Sequence, residues 1–219
     1  MKTVLGVFSV VSAVLVSGCC YGSMTGARTL GTNHMTVTGA VGLPAYLSAD
    51  DRREAGDTGI DDVPVSPFAT FLSGATDRID IGAFFRAWSI GPMVRVGLTD
   101  PSAAYAVSLN AGAGYAIPAK LLGTRFGASA GYLLGESLEV YGGWDGGYGP
   151  DVINIPQDGD GHDDWDQVEN TFYHSLNCGL LYTLPGSGEK WIPEAVGFEF
   201  ALPLDLSRDL VLFSAGVTY

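Results

Sequence analysis

The most chemically loaded stretch of the chain is DGDGHDDWDQVE, residues 158–169. With Asp151 before it, the segment from Asp151 to Glu169 carries Asp151, Asp158, Asp160, Asp163, Asp164, Asp166 and Glu169, and no Lys or Arg. Hard cations take several oxygen ligands, and Asp158, Asp160 and Glu169 stand at positions 1, 3 and 12 of an EF-type calcium loop. Position 5 is His162, and position 6, where the sharp turn requires Gly, is Asp163. The expectation is a solvated acidic loop that holds calcium only loosely. His162 beside Asp163 has the composition of a base and its orienting acid, but a flexible loop is a poor scaffold for positioned catalysis. His174 and Ser175 are adjacent; on a strand they point to opposite faces, so no hydrogen bond between them is expected. The chain has no phosphate-binding glycine loop between a strand and a helix, and no Cys/His metal spacing. A second chemical set is Asp80, Arg86, Arg95, Glu139 and Glu199, which lie in strand-like stretches. They would either line a conduction path or, as favoured here, pair with one another to fill an interior.

The elements that must position these residues are strands. The chain has 219 residues with 31 Gly, 11 Lys plus Arg and 24 Asp plus Glu, and almost no stretch at helical period. Its net charge of -13 excludes nucleic acid as a partner, because phosphate contacts need Lys and Arg. After the N-terminal segment no apolar run reaches the length of a membrane helix. Period-two alternation predicts ten strands: 34–43, 65–74, 78–88, 92–98, 104–115, 125–134, 137–145, 171–184, 193–204 and 210–219. In the third, Ile79, Ile81, Ala83 and Phe85 alternate with Asp80, Gly82, Phe84 and Arg86. In the last, Val211, Phe213, Ala215, Val217 and Tyr219 alternate with Leu212, Ser214, Gly216 and Thr218.

One face of each clear strand is apolar, with aromatics near its ends; the other is small or polar and carries the charges. The clear strands run to about 9–11 residues, the length of a tilted membrane crossing rather than of an ordinary soluble strand. Tight links follow strands two, four and six, and long ones follow strands one and seven, while the short links after strands three and nine depart from that pattern. The predicted fold is all-β: one antiparallel transmembrane barrel over residues 34–219, of ten strands, with eight as the second count. A soluble β-sandwich shares the alternation and is the alternative. In the barrel, Phe84, Trp88, Tyr141 and Tyr173 would fill the interior beside Arg86 and Arg95, leaving no wide pore.

Four resemblances bear on function. Residues 1–18, MKTVLGVFSVVSAVLVSG, read as an export signal, and Leu15-Val16-Ser17-Gly18-Cys19 resembles a bacterial lipoprotein signal. That resemblance implies lipidation of Cys19, leaving Cys20 and Cys178 either free or bonded. The segment 19–33 would be a lipidated N-terminus and linker; its Arg28-Thr29-Leu30-Gly31 resembles the turn before the first strand of small bacterial outer-membrane barrels. A terminal aromatic after alternating hydrophobics, here Phe213, Val217 and Tyr219, resembles the signal by which such barrels are recognised by the barrel assembly machinery. Together these imply an outer-membrane barrel lipoprotein, monomeric, with both termini periplasmic and with lipids and lipopolysaccharide as partners. Its type would be structural, surface-binding or narrow-pore, not catalytic. The alternative is a periplasmic sandwich lipoprotein that binds a partner. Tyr173-His174-Ser175-Leu176-Asn177 resembles lipid A deacylases, barrel enzymes whose His and Ser lie two apart; that reading and a rim protease are the remote alternatives.

Overall fold

The computed structural model describes residues 24, 26–46, 66–86, 89–150, 164–185, 193–204 and 211–219. They form β1 (Met35–Tyr46), β2 (Ser66–Thr76), β3 (Ile79–Arg86), β4 (Ser89–Gly97) and β5 (Tyr105–Ala116). There follow β6 (Leu121–Leu134), β7 (Leu138–Pro150), β8 (Asn170–Thr183), β9 (Ala195–Pro203) and β10 (Val211–Thr218). Each strand pairs antiparallel with the next, and β10 pairs with β1, so one sheet closes into a barrel of ten strands. The count of eight and the two-sheet sandwich are both corrected by this closure. No described helix is long and apolar enough to cross a membrane, which says nothing of a chain that crosses with strands.

The register follows from the side-chain pattern. Between β3 and β4, Ile81 stands opposite Val94 on the outward face, and Asp80 stands opposite Arg95 on the inward face. A slip of one residue would exchange those faces, so the register is tightly specified. Alternation then decides burial: Ile81 is 52% exposed while its neighbour Asp80 is fully covered. The outward face also carries Phe71, Leu109, Tyr132, Leu180, Phe198 and Phe200, all exposed. The inward face holds Phe84, Tyr141, Leu72 and Met93 together with buried Arg86, Arg95, Asp80, Glu139 and Glu199. This inversion, charge inside and hydrocarbon outside, is the opposite of a soluble core.

One barrel end, called the near end below, carries the start of β1, the end of β10 and the tight turns at residues 77–78 and 135–137. In the second of these, Gly135 adopts φ +70°, which a Cβ would disfavour. The long connections 47–65 and 151–169 leave from the far end. Tyr219 closes the near end by exchanging two backbone hydrogen bonds with Val37, at 2.8 and 2.9 Å.

Several boundaries move relative to the expected ones. β4 begins at Ser89, β6 at Leu121, and β7 runs on to Pro150. The extensions carry Arg125 and Asp145 inside the barrel as full members of the inward face, where the alternation had made them end residues. Trp88, expected in the interior, lies outside the described residues.

Candidate functional site

Among the described residues, the interior is where buried chemistry gathers, and it divides into two layers. The near layer is built around Met24 and residues 26–30, part of the stretch expected as a linker. They run inside the barrel rather than along a strand, so their peptide N–H groups have no sheet partner and would be costly to bury unmet. Three inward carboxylates accept them at three-residue intervals. Met24 donates its N–H to Glu199 Oε2 at 3.0 Å, Ala27 to Glu139 Oε1 at 2.9 Å, and Leu30 to Asp80 Oδ1 at 3.0 Å. These acids sit on β9, β7 and β3, so the segment is held from three sides of the barrel wall.

Further bonds lock the same layer. Arg95 donates Nε to Asp80 Oδ2 at 2.8 Å and Nη1 to the Gly26 carbonyl at 3.0 Å, joining wall and segment through one guanidinium. Tyr141 donates its hydroxyl to Glu199 Oε2 at 2.9 Å. Gly26 is needed here, because a Cβ at that position would come within 2.6 Å of Glu139 Oε2. Leu30 packs on the cluster of Leu72, Phe84 and Met93, and Met24 on Ala40 and Phe68. At the near rim Arg28 donates to the carbonyls of Pro101, Ala103 and Ala104 in the β4–β5 connection. Asp77 accepts from the Thr32 hydroxyl at 2.7 Å and the Thr32 N–H at 3.3 Å; the hydroxyl bond foremost holds its carboxyl below the ordinary carboxylate range. The Arg28-Thr29-Leu30-Gly31 motif is therefore a set of rim and lumen contacts: guanidinium to carbonyls, Thr29 hydroxyl to the Asp77 carbonyl, Leu30 into the core, and Gly31 turning at φ +80°.

The far layer is built on Asp145 of β7. Arg86 Nη1 lies 2.6 Å from Asp145 Oδ2, and Arg125 Nη2 lies 3.2 Å from Asp145 Oδ1. The Arg125 guanidinium also lies 5.2 Å over the Phe84 ring, a cation–π contact. Above this triad is a small cavity lined by Phe84, Ser89, Thr124, Arg125 and Tyr173, among others.

Of the five charges expected to fill the lumen, Asp80 and Arg95 pair with each other, Arg86 pairs with Asp145, and Glu139 and Glu199 accept hydrogen bonds from Ala27, Met24 and Tyr141. Asp80 and Arg86 share a face of β3, yet Asp80 bonds Arg95 and Arg86 bonds Asp145. The distance along β3 explains the choice: six residues separate the two on one strand, while the neighbouring strand sets Arg95 directly opposite Asp80. Arg125, Asp145 and the N-terminal segment were not anticipated as site residues. Their signal was present as inward parity at the strand ends, but the parity becomes visible only once the strands are known to continue.

The other candidates stand apart from the interior. Phe213, Val217 and Tyr219 face outward, with Phe213 stacked at 6.0 Å on Phe198 and at 5.2 Å against Phe200. Ser175 is buried on the inward face and His174 lies on the outward one, as their adjacency requires. Cys178 is a free thiol on the outward face. Cys19, Cys20, Asp158, Asp160, His162 and Asp163 lie outside the described residues. Glu169 is exposed; Asp164 accepts from the Asp166 N–H and the Gln167 side chain, capping the short turn Trp165–Gln167. No group of three potential metal ligands occurs among the described residues. Comparison with protein-family models, curated proteins and solved structures found no match to this chain.

Proposed function

We propose that this chain is a bacterial outer-membrane β-barrel lipoprotein of structural or surface-binding type, with at most a narrow conduction path and no catalytic role. The observation that carries the reading is the inverted barrel. A closed sheet that turns Phe71, Ile81, Leu109, Tyr132, Phe198 and Phe200 outward, and buries seven charged residues inside, suits a hydrocarbon solvent. Closure also leaves no edge strand to be satisfied by lipid. In this reading the near end, with both described chain ends and the tight turns, faces the periplasm, and Cys19 carries lipid at that surface. The far end, with the acidic segment 151–169, faces outward among lipopolysaccharide, where the acids would hold calcium loosely. The protein would act as a monomer inserted by the barrel assembly machinery.

Against conduction stands the interior itself: the N-terminal segment occupies the near layer, and Arg86, Arg125, Phe84 and Tyr173 occupy the far one. The test is gel migration of purified protein with and without boiling. A folded membrane barrel migrates differently from its boiled form and extracts only with detergent. Identical migration together with release by salt alone would overturn the membrane reading.

A further inference from the structure

We propose that the far half of the lumen is a binding site for one small oxyanion, a carboxylate or a phosphate, taken as a free ion or as the end group of a larger molecule. The charge distribution is the first argument. Among the described inward residues, the far layer sets two guanidiniums, Arg86 and Arg125, against the one carboxylate of Asp145. The near layer sets Arg95 against Asp80, Glu139 and Glu199. An anion entering from the far end therefore meets a cationic belt and is stopped by an acidic one beneath it.

Donor accounting is the second argument. Arg125 is only 5% exposed, and its Nε is buried without a partner among the described residues. A buried guanidinium N–H left unmet is costly, and carboxylate or phosphate oxygen is the acceptor that a planar guanidinium fits best. Asp145 meets Arg125 only through Nη2, at 3.2 Å, and its other oxygen is held by Arg86 at 2.6 Å, so it does not supply the acceptor that Arg125 Nε lacks.

Space is the third. The cavity beside Arg125 measures about 30 Å³, roughly twice what one water needs on the same measure. Its wall includes Gly114, Gly123 and Gly149, and a Cβ on Gly114 would stand 2.9 Å from Phe84 Cζ. Larger residues there would close the space. The Ser89 side chain, also lining it, can donate a second hydrogen bond.

The experiment uses the full chain, uniformly labelled with ¹⁵N and folded in detergent. The Arg125 Nε–H signal is identified by its absence from the Arg125→Lys spectrum. Sodium phosphate, sodium formate and glycerol phosphate are titrated at constant ionic strength. Saturable movement of that signal is expected with at least one of them. Binding measured by calorimetry should weaken about tenfold or more in Arg125→Lys, which keeps the charge and loses the Nε donor. Ser108→Ala, a near-layer change away from the cavity, should bind as the parent does. Binding of formate and phosphate without glycerol phosphate assigns the site to free ions; binding of all three assigns it to end groups as well. Absence of saturable binding by a protein that still shows folded-barrel migration would overturn the proposal, as would unchanged affinity in Arg125→Lys. Because the readout is a lumen signal in detergent, it stands or falls separately from the membrane reading.

Discussion

Replacing Asp80 by Asn tests whether the near layer of the lumen is dry. The Asp80 carboxylate is fully covered, and the Arg95 side chain is 5% exposed. Arg95 reaches it through Nη2 at 2.7 Å and Nε at 2.8 Å, and Leu30 donates its N–H at 3.0 Å. Asp80→Asn removes the charge and leaves one accepting oxygen where there were two, with the Arg95 guanidinium still buried. Opposite unit charges about 4 Å apart attract by about 4 kcal/mol at an effective dielectric constant near 20. Leaving one member of a buried pair alone costs about 3–5 kcal/mol. The single change should therefore lower unfolding stability by about 3–5 kcal/mol, a large part of a typical domain's total. Arg95→Gln alone should cost a similar amount. The double change removes both charges and should recover most of the loss, since a neutral pair of similar shape has no buried ion to strand. The assay is reversible urea unfolding in lipid vesicles followed by tryptophan fluorescence, arranged as a double-mutant cycle. A coupling energy under about 1 kcal/mol, the range of an exposed pair, would refute the reasoning: the lumen would then be wet enough to screen the pair.

Four further outcomes are expected. Phe213→Lys, which puts a charge amid Phe198 and Phe200 on the outward face, should cost about 2–4 kcal/mol if that position is mid-membrane; insertion in normal amounts, read from the heat-modifiable fraction, would show that Phe213 does not meet lipid. Labelled palmitate should enter the protein and be lost in Cys19→Ala, and equal labelling of the two would end the lipoprotein assignment. In planar bilayers the parent should give small or no steady conductance, and deletion of residues 24–30 should raise it, because those residues hold the near layer closed; large stable steps from the parent would make porin the leading function. The Asp77–Thr32 tie should be pH-sensitive: the folded carboxyl lies below its ordinary value of 3.8, so the tie contributes fully above that pH and is lost as pH falls through the folded value. Amide exchange at Thr32 should rise there in the parent and stay high at all pH in Asp77→Ala.

The sequence alone determined the strands and their faces. Alternation is a local property, and each of Ile79, Ile81, Tyr105, Leu109, Phe198 and Phe200 lands outward because its neighbours of opposite parity are small, polar or charged. It also determined that Asp80, Arg86, Arg95, Glu139 and Glu199 share one inward surface, since parity is fixed by position along each strand. Ten strands closing on themselves followed from the same pattern. What tertiary structure decided was which charge meets which. Partners such as Arg86 and Asp145 lie 59 residues apart in the chain and four sheet positions apart around the barrel. Their meeting depends on closure, tilt and register together, none of which a single strand encodes. The segment from Met24 to Leu30 was the least legible, because it has no period at all. Its small residues, Gly26 above all, carry no pattern of their own. Their meaning comes from Glu199, Glu139 and Asp80, three acids on distant strands that reach its N–H groups only once the barrel has closed around it.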